Sequence, residues 1–144
     1  MKSKIFYIVT LLILFGCKSV NIEIPENYSI LVGTGGGSLG LWQGYTIQSD
    51  GKILSWQGKK AGDNPIFFKN YDNKFPQKIW EIILKDSILK YAGEGNYSYG
   101  NTTNIIKINR NDSLHIIIWD PSIKNDTVEI MNSAYKKIFE LIHK

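Results

Sequence analysis

Apolar positions along the chain recur with two different periods, and the two divide it into strands and helices. Ser29 to Gly33 is β-branched and apolar, Leu41 to Gln48 mixes aromatic and β-branched residues, and Ile53 to Gln57 follows the turn Ser49-Asp50-Gly51. Asp-Gly between two such runs predicts a hairpin. Lys60 to Asn73, rich in Gly, Asn, Asp and Pro, predicts a loop that Ile66, Phe67 and Phe68 pin to the core. Pro76 suits the first turn of a helix, and Ile79, Ile82, Ile83 and Leu89 then recur at helical spacing, joined by Trp80, Leu84 and Ile88, so a helix is expected to about Lys90. Tyr91 to Thr103, with Gly93, Gly95 and Gly100, is expected to be a loop. Asn104 to Asn109 and Leu114 to Trp119 predict a second hairpin closed by Arg110-Asn111-Asp112-Ser113, and Asp120-Pro121 stops it. Val128, Met131, Tyr135, Ile138 and Ile142 step by three and four and predict a closing helix, with Asp126 and Thr127 as candidate caps.

The resulting order, β-β-β-α-β-β-α, predicts an α+β fold: a small antiparallel sheet of about five strands with two helices packed on one face. Residues 28–144 are expected to form this single domain.

The N-terminus has a different character. Lys2 and Lys4 precede the apolar run Ile5 to Phe15, which at eleven residues is too short to span a bilayer as a helix, where roughly 20 are needed. Residues 1–16 are therefore expected to be a signal peptide. The run ends in Leu14-Phe15-Gly16-Cys17, which resembles the lipobox of bacterial lipoproteins, and Cys17 is the only cysteine in the chain. The resemblance implies cleavage between Gly16 and Cys17, a diacylglycerol on the Cys17 thiol and an acylated (commonly palmitoylated) new amine. Acyl chains contribute about 0.8 kcal/mol per buried methylene, so two or three hold a protein on a membrane. Residues 17–27 then form a lipidated tether, with an edge strand over Asn21 to Ile24 as the other reading. This places the protein in the bacterial cell envelope, anchored by lipid to a membrane, with the outer membrane preferred and the leaflet open.

Composition narrows the partners. The full chain of 144 residues carries a formal charge of +4, which falls to +2 once Lys2 and Lys4 leave, and Arg110 is its only arginine. No basic stripe remains to suggest nucleic acid, whose readers favour arginine.

The most unusual segment is Thr34-Gly35-Gly36-Gly37-Ser38-Leu39-Gly40, since glycines cost backbone entropy that a passive connector need not lose. Gly35-x-Gly37-x-x-Gly40 copies a dinucleotide fingerprint, but a strand follows where that chemistry needs a helix N-terminus. Gly36-x-Ser38-x-Gly40 copies a nucleophile elbow, which also requires a following helix; a triad of Ser38 with Asp120 and either His115 or His143 is the enzymatic alternative, a small hydrolase. There is no helical His pair, Cys pair or calcium-loop pattern, so no metal or other cofactor and no catalytic residue is assigned. Gly35, Gly36, Gly37, Ser38, Leu39 and Gly40 are instead expected to form a binding loop.

A strand, the Gly36-Gly37-Ser38-Leu39-Gly40 loop, a second strand, a helix, a strand pair and a C-terminal helix resemble emfourin, a small inhibitor of thermolysin-type metalloproteases, over about Ile30 to Ile142. The family usually shows an aromatic residue where this chain has Ser38. The resemblance implies that the glycine loop enters a protease cleft.

Tyr91 to Thr103 offers a second candidate surface, because rings stack on sugars or peptides while amides supply hydrogen bonds. Tyr97 and Tyr99 would carry it, with Trp42, Trp56 and Tyr45 joining from the sheet; the other reading is that these rings cover the core. Finally, Asp86-Ser87-Ile88, Asp112-Ser113-Leu114 and Asp126-Thr127-Val128 resemble the acceptor motif for O-glycosylation of exported proteins in some double-membraned bacteria. Ser113 and Thr127 are the candidates, and Ser87, expected inside a helix, is the least accessible. The sequence thus describes a membrane-anchored, non-catalytic binding domain with a protein or glycan as partner.

Overall fold

Strands β1 (Tyr28–Gly36), β2 (Leu41–Gln48) and β3 (Lys52–Gly58) form consecutive hairpins, and β4 (Ile66–Asn70) adds a fourth strand at the edge. Helix α1 (Lys74–Lys85), a 3-10 helix at Ile88–Tyr91 and the two-residue β5 (Gly95–Asn96) lead to β6 (Thr102–Arg110), β7 (Ser113–Trp119) and the closing helix α2 (Asp126–Ile142). The computed structural model describes residues 24–93, 95–96 and 101–144. Strand order is β4-β3-β2-β1-β6-β7-β5, antiparallel throughout except for the short parallel pairing of β5 with β7. The fold is therefore α+β, as the periodicity predicts.

Alternation assigns the two faces. Ile30, Val32, Ile47, Ile53, Ile106, Ile108, Ile117 and Trp119 point to one side, where they meet Ile79, Trp80 and Ile83 of α1 and Val128, Met131, Ala134, Ile138 and Ile142 of α2. Both helices thus pack on one face. Tyr28 lies in this core with its ring 5.0 Å from that of Trp80, and burial pushes its phenol up to about 12. The helix-free face carries a second, smaller cluster of Leu31, Trp56 and Ile105, on which Ala61 packs. Trp56 is only 3% exposed because glycines make room for it: a Cβ on Gly33 would stand 2.4 Å from its ring, and one on Gly44 2.6 Å. Every member of both clusters lies between Ile24 and Ile142.

Four expectations need correction. Ile66 to Asn70 is an edge strand, not loop, and Ile66 and Phe67 stand in the open; Phe68 is partly exposed but touches the core through Tyr45, 5.0 Å between ring centroids. A five-residue segment with only three apolar residues, Ile66 to Phe68, flanked by turn residues carries too little periodicity to reveal a strand. The first helix ends at Lys85 rather than Lys90, because Ser87 adopts a left-handed φ of 53° and the chain restarts as a 3-10 turn. At the N-terminus of α2 it is Asn125, not Asp126 or Thr127, whose side chain accepts the Val128 N–H, at 2.8 Å. Tyr45 and the two tryptophans expected beside it lie on opposite faces: Tyr45 packs against Phe139 of α2, while Trp56 belongs to the helix-free cluster and Trp42 packs against it. Ile24, within the expected tether, packs against the main core.

Candidate functional site

The β1–β2 hairpin ends in a tight turn over Gly37 to Gly40. Gly36, Gly37 and Gly40 have φ of 83°, 64° and 60°, values that L side chains rarely adopt, so the turn requires glycine at these places. Between them the chain lifts Leu39 into solvent at 81% exposure, with Leu41 also exposed below it.

A chain of hydrogen bonds holds the tip in place. Gly37 N–H donates to the Asn101 carbonyl at 3.1 Å, and Asn101 Nδ2 donates to Asp120 Oδ2 at 2.6 Å. Asp120 Oδ1 in turn accepts from Ser122 Oγ at 2.6 Å and from Ser122 N at 2.8 Å. The Ser122 hydroxyl, then the Asn101 amide and the Ser122 N–H, hold this buried carboxyl below its ordinary pKa, so it is ionised at neutral pH. Nearby, Thr34 Oγ1 donates to the Thr103 carbonyl at 3.1 Å, tying the hairpin stem to β6.

Beside the stem the helices leave the sheet uncovered. A groove of about 390 Å³ is lined by Thr34, Gln43, Tyr45, Gln57, Asn64 and His143 among others, and a second of about 260 Å³ shares Thr34, Gln43 and Gln57 and reaches Gly35, Gly36 and Leu41. Register explains the shared three: Thr34 pairs with Gln43 and Gln43 with Gln57, so they form a polar row across three strands. Tyr45, Phe68, Phe139 and His143 close the lower end as an aromatic cluster, with the Tyr45 and His143 rings 5.4 Å apart. The grooves therefore offer neutral hydrogen-bonding groups beside aromatic walls.

The expected residues fall out unevenly. Gly35, Gly36, Gly37, Ser38, Leu39 and Gly40 do form one hairpin tip. Trp42 lies against Gly35, whose Cβ would stand 2.3 Å from the indole. Gly16, Cys17, Tyr97 and Tyr99 lie outside the described residues. Ser113 is exposed where β7 begins, and Thr127 is half-buried in the first turn of α2. Ser87 is exposed at the break after α1, not shielded within a helix.

Ser38, Asp120 and a histidine are not brought together. Asp120 is engaged by Asn101 and Ser122. His115 pairs with Ile108, which pairs with Ile30, six residues down β1 from Gly36 and so about 20 Å from the tip. His143 packs on Tyr45, four residues along β2 from Leu41, or about 13 Å. Among the described residues no group of three or more His, Cys, Asp and Glu side chains is arranged to hold a metal ion, and no helix is long and apolar enough to cross a membrane.

The supporting residues Asn101, Thr103 and Asp120 were not legible as such, since they meet the glycines only through the pairing of β1 with β6. No family model matches the chain, and no curated protein is similar to it in sequence.

Proposed function

We propose that this is a lipid-anchored lipoprotein of the bacterial cell envelope whose single non-catalytic domain binds a protein partner through the tip of its glycine-rich hairpin. The observation that carries the reading is Leu39, 81% exposed on a turn whose conformation glycines permit and whose position the Asn101–Asp120–Ser122 chain supports. Burying a leucine side chain contributes about 1.5–3 kcal/mol, enough to make one residue dominate a small contact. The membrane anchor rests on the lipobox resemblance at Leu14 to Cys17. Glycan binding in the amide-lined groove beside the stem is the other partner class, and exposed Gln43 and Gln57 favour it.

A second reading makes the same tip an inhibitor of thermolysin-type metalloproteases, as the resemblance to emfourin implies. A narrow hairpin with an exposed leucine at its tip is the shape a protease cleft admits. One set of variants tests both. Leu39→Asp should abolish capture of the partner from native membranes, and Gly37→Val should do the same by forcing a side chain into left-handed φ. Titration of a thermolysin-type protease by the wild-type chain alone would establish inhibition. Capture unaffected by Leu39→Asp would remove the tip from the account, and turnover lost in Ser38→Ala would make the protein a hydrolase instead.

A further inference from the structure

Strand β7 carries apolar residues on both of its faces, yet the described structure covers one of them only at Ile118, which packs on the Leu31–Trp56–Ile105 cluster, and leaves Leu114 and Ile116 open. Ile117 and Trp119 enter the core beneath the helices, while Leu114, Ile116 and Ile118 point the other way. A strand facing water on one side alternates apolar with polar; a continuous apolar run belongs to a strand covered on both. Leu114 is 54% and Ile116 38% exposed, and across the sheet Phe67 of β4 stands 60% exposed on the same helix-free side, opposite Leu54. This face wants a cover.

Charge says what kind. The only charged side chains that β1, β2, β3, β6 and β7 place on this face are Lys52 and Lys107; none of these strands contributes a carboxylate to it. The loop that folds over its centre through Ala61 adds Lys59 and Lys60 against Asp63. Glu81, Asp86, Asp126, Glu129 and Glu140 belong to the helices or their ends on the other side, while Asp50 and Asp112 stand at the hairpin ends beside Ser29, Gln48 and Asn109; the four lysines still outnumber these two and Asp63. Apolar residues interspersed with lysines match an interface of anionic headgroups over acyl chains.

We infer that the helix-free face of the sheet lies on the surface of the bilayer to which Cys17 anchors the chain. The inference rests on the anchor proposed above in one respect: six residues separate Cys17 from Ile24, the first packed residue, and the seven Cα–Cα steps reach at most about 25 Å. At that range the effective concentration of membrane is high, and a face of modest affinity is enough to hold the domain down.

The experiment uses the chain from Lys18 to Lys144, which lacks the acylated cysteine but retains every core residue from Ile24 to Ile142. It is sedimented with vesicles of phosphatidylcholine, with and without phosphatidylglycerol. Binding to the anionic vesicles that weakens as salt is raised is expected. Lys107→Glu should weaken it about 30-fold, from about a factor of five for each unit of charge. Leu114→Ser with Ile116→Ser should weaken it further. Lys136→Glu, the same charge change on the exposed helix side, should leave it unaltered. Should the double variant unfold, the two lysine variants still decide. No binding to either vesicle overturns the inference, as do equal losses for Lys107→Glu and Lys136→Glu, or a wild-type dimer in solution that Leu114→Ser and Ile116→Ser dissociate. Failure of the anchor itself would show elsewhere, as an unmodified Cys17 in material from the native host, and would leave this vesicle result standing.

Discussion

Replacing Trp56 by alanine probes the part of the sheet that glycines have been arranged to fit. The indole lies on the helix-free side across Gly44 and Gly33, with Leu31 and Ile105 beside it and Ala61 above. Its burial to 3% exposure removes on the order of 200 Å² from water, or about 5 kcal/mol at 25 cal/mol per Å². The neighbouring loop can partly collapse into the space, so a loss of about 3–4 kcal/mol is expected, within the usual range for such truncations. For a domain of this size that lowers Tm by roughly 12–16 °C. Gly44→Ala should cost about 2–3 kcal/mol, since its Cβ would meet both the Val32 carbonyl at 2.1 Å and the Trp56 ring at 2.6 Å. Because part of that cost is the ring itself, the double variant should be more stable than the sum of the two losses by at least about 1 kcal/mol. Urea denaturation of the four proteins measures all three quantities. Additive losses, or a Trp56→Ala cost below about 1 kcal/mol, would mean the indole does not rest on the glycines.

Three further outcomes follow from local chemistry. Asn125→Ala removes the side-chain acceptor of Val128 N–H and should lower stability by about 1 kcal/mol, read as a shift in the denaturation midpoint, whereas Asp126→Ala should do less. Asp120 has a folded-state pKa below its unfolded one, so its contribution is present above about pH 4 and fades as pH falls through and below that value; Asp120→Asn should be less stable than wild type at pH 7, and the gap should close in acid. Tyr28 behaves oppositely at the alkaline end: with its phenol raised from 10.0 to about 12, stability it supports below pH 10 is lost between pH 10 and 12, and ultraviolet titration should find Tyr28 and Tyr135 still protonated until the chain unfolds.

The elements that could be read from the sequence are those whose signal is local. Asp50-Gly51 closes the first of the expected hairpins, and the expected four-residue connection Arg110 to Ser113 closes the other with Arg110 and Ser113 paired in the strands and only Asn111-Asp112 turning; Gly51 and Asn111 take positive φ, and the stripe from Val128 to Ile142 is buried where its spacing puts it. The break at Ser87 was not legible, because Ile82, Ile83, Ile88 and Leu89 keep helical spacing across a residue that turns left-handed. Edge strand β4 was hidden because its residues are exposed on both sides and so carry no alternation. The site divides in the same way. Gly35 to Gly40 announce a turn by composition, but their support by Asn101 and Asp120 depends on register between strands some seventy residues apart, as does the row of Thr34, Gln43 and Gln57 across three strands. Trp42, Trp56 and Tyr45 looked like one aromatic surface until strand alternation put the tryptophans on one face and Tyr45 on the other.

The central claim, a binding hairpin held beside a membrane by lipid, is tested most directly by the intact mass of the protein extracted from envelopes of its native host. The account predicts a chain that begins at Cys17 and carries the added mass of a diacylglycerol and an acyl group. A chain that retains Met1 to Gly16 with a free Cys17 thiol would contradict it.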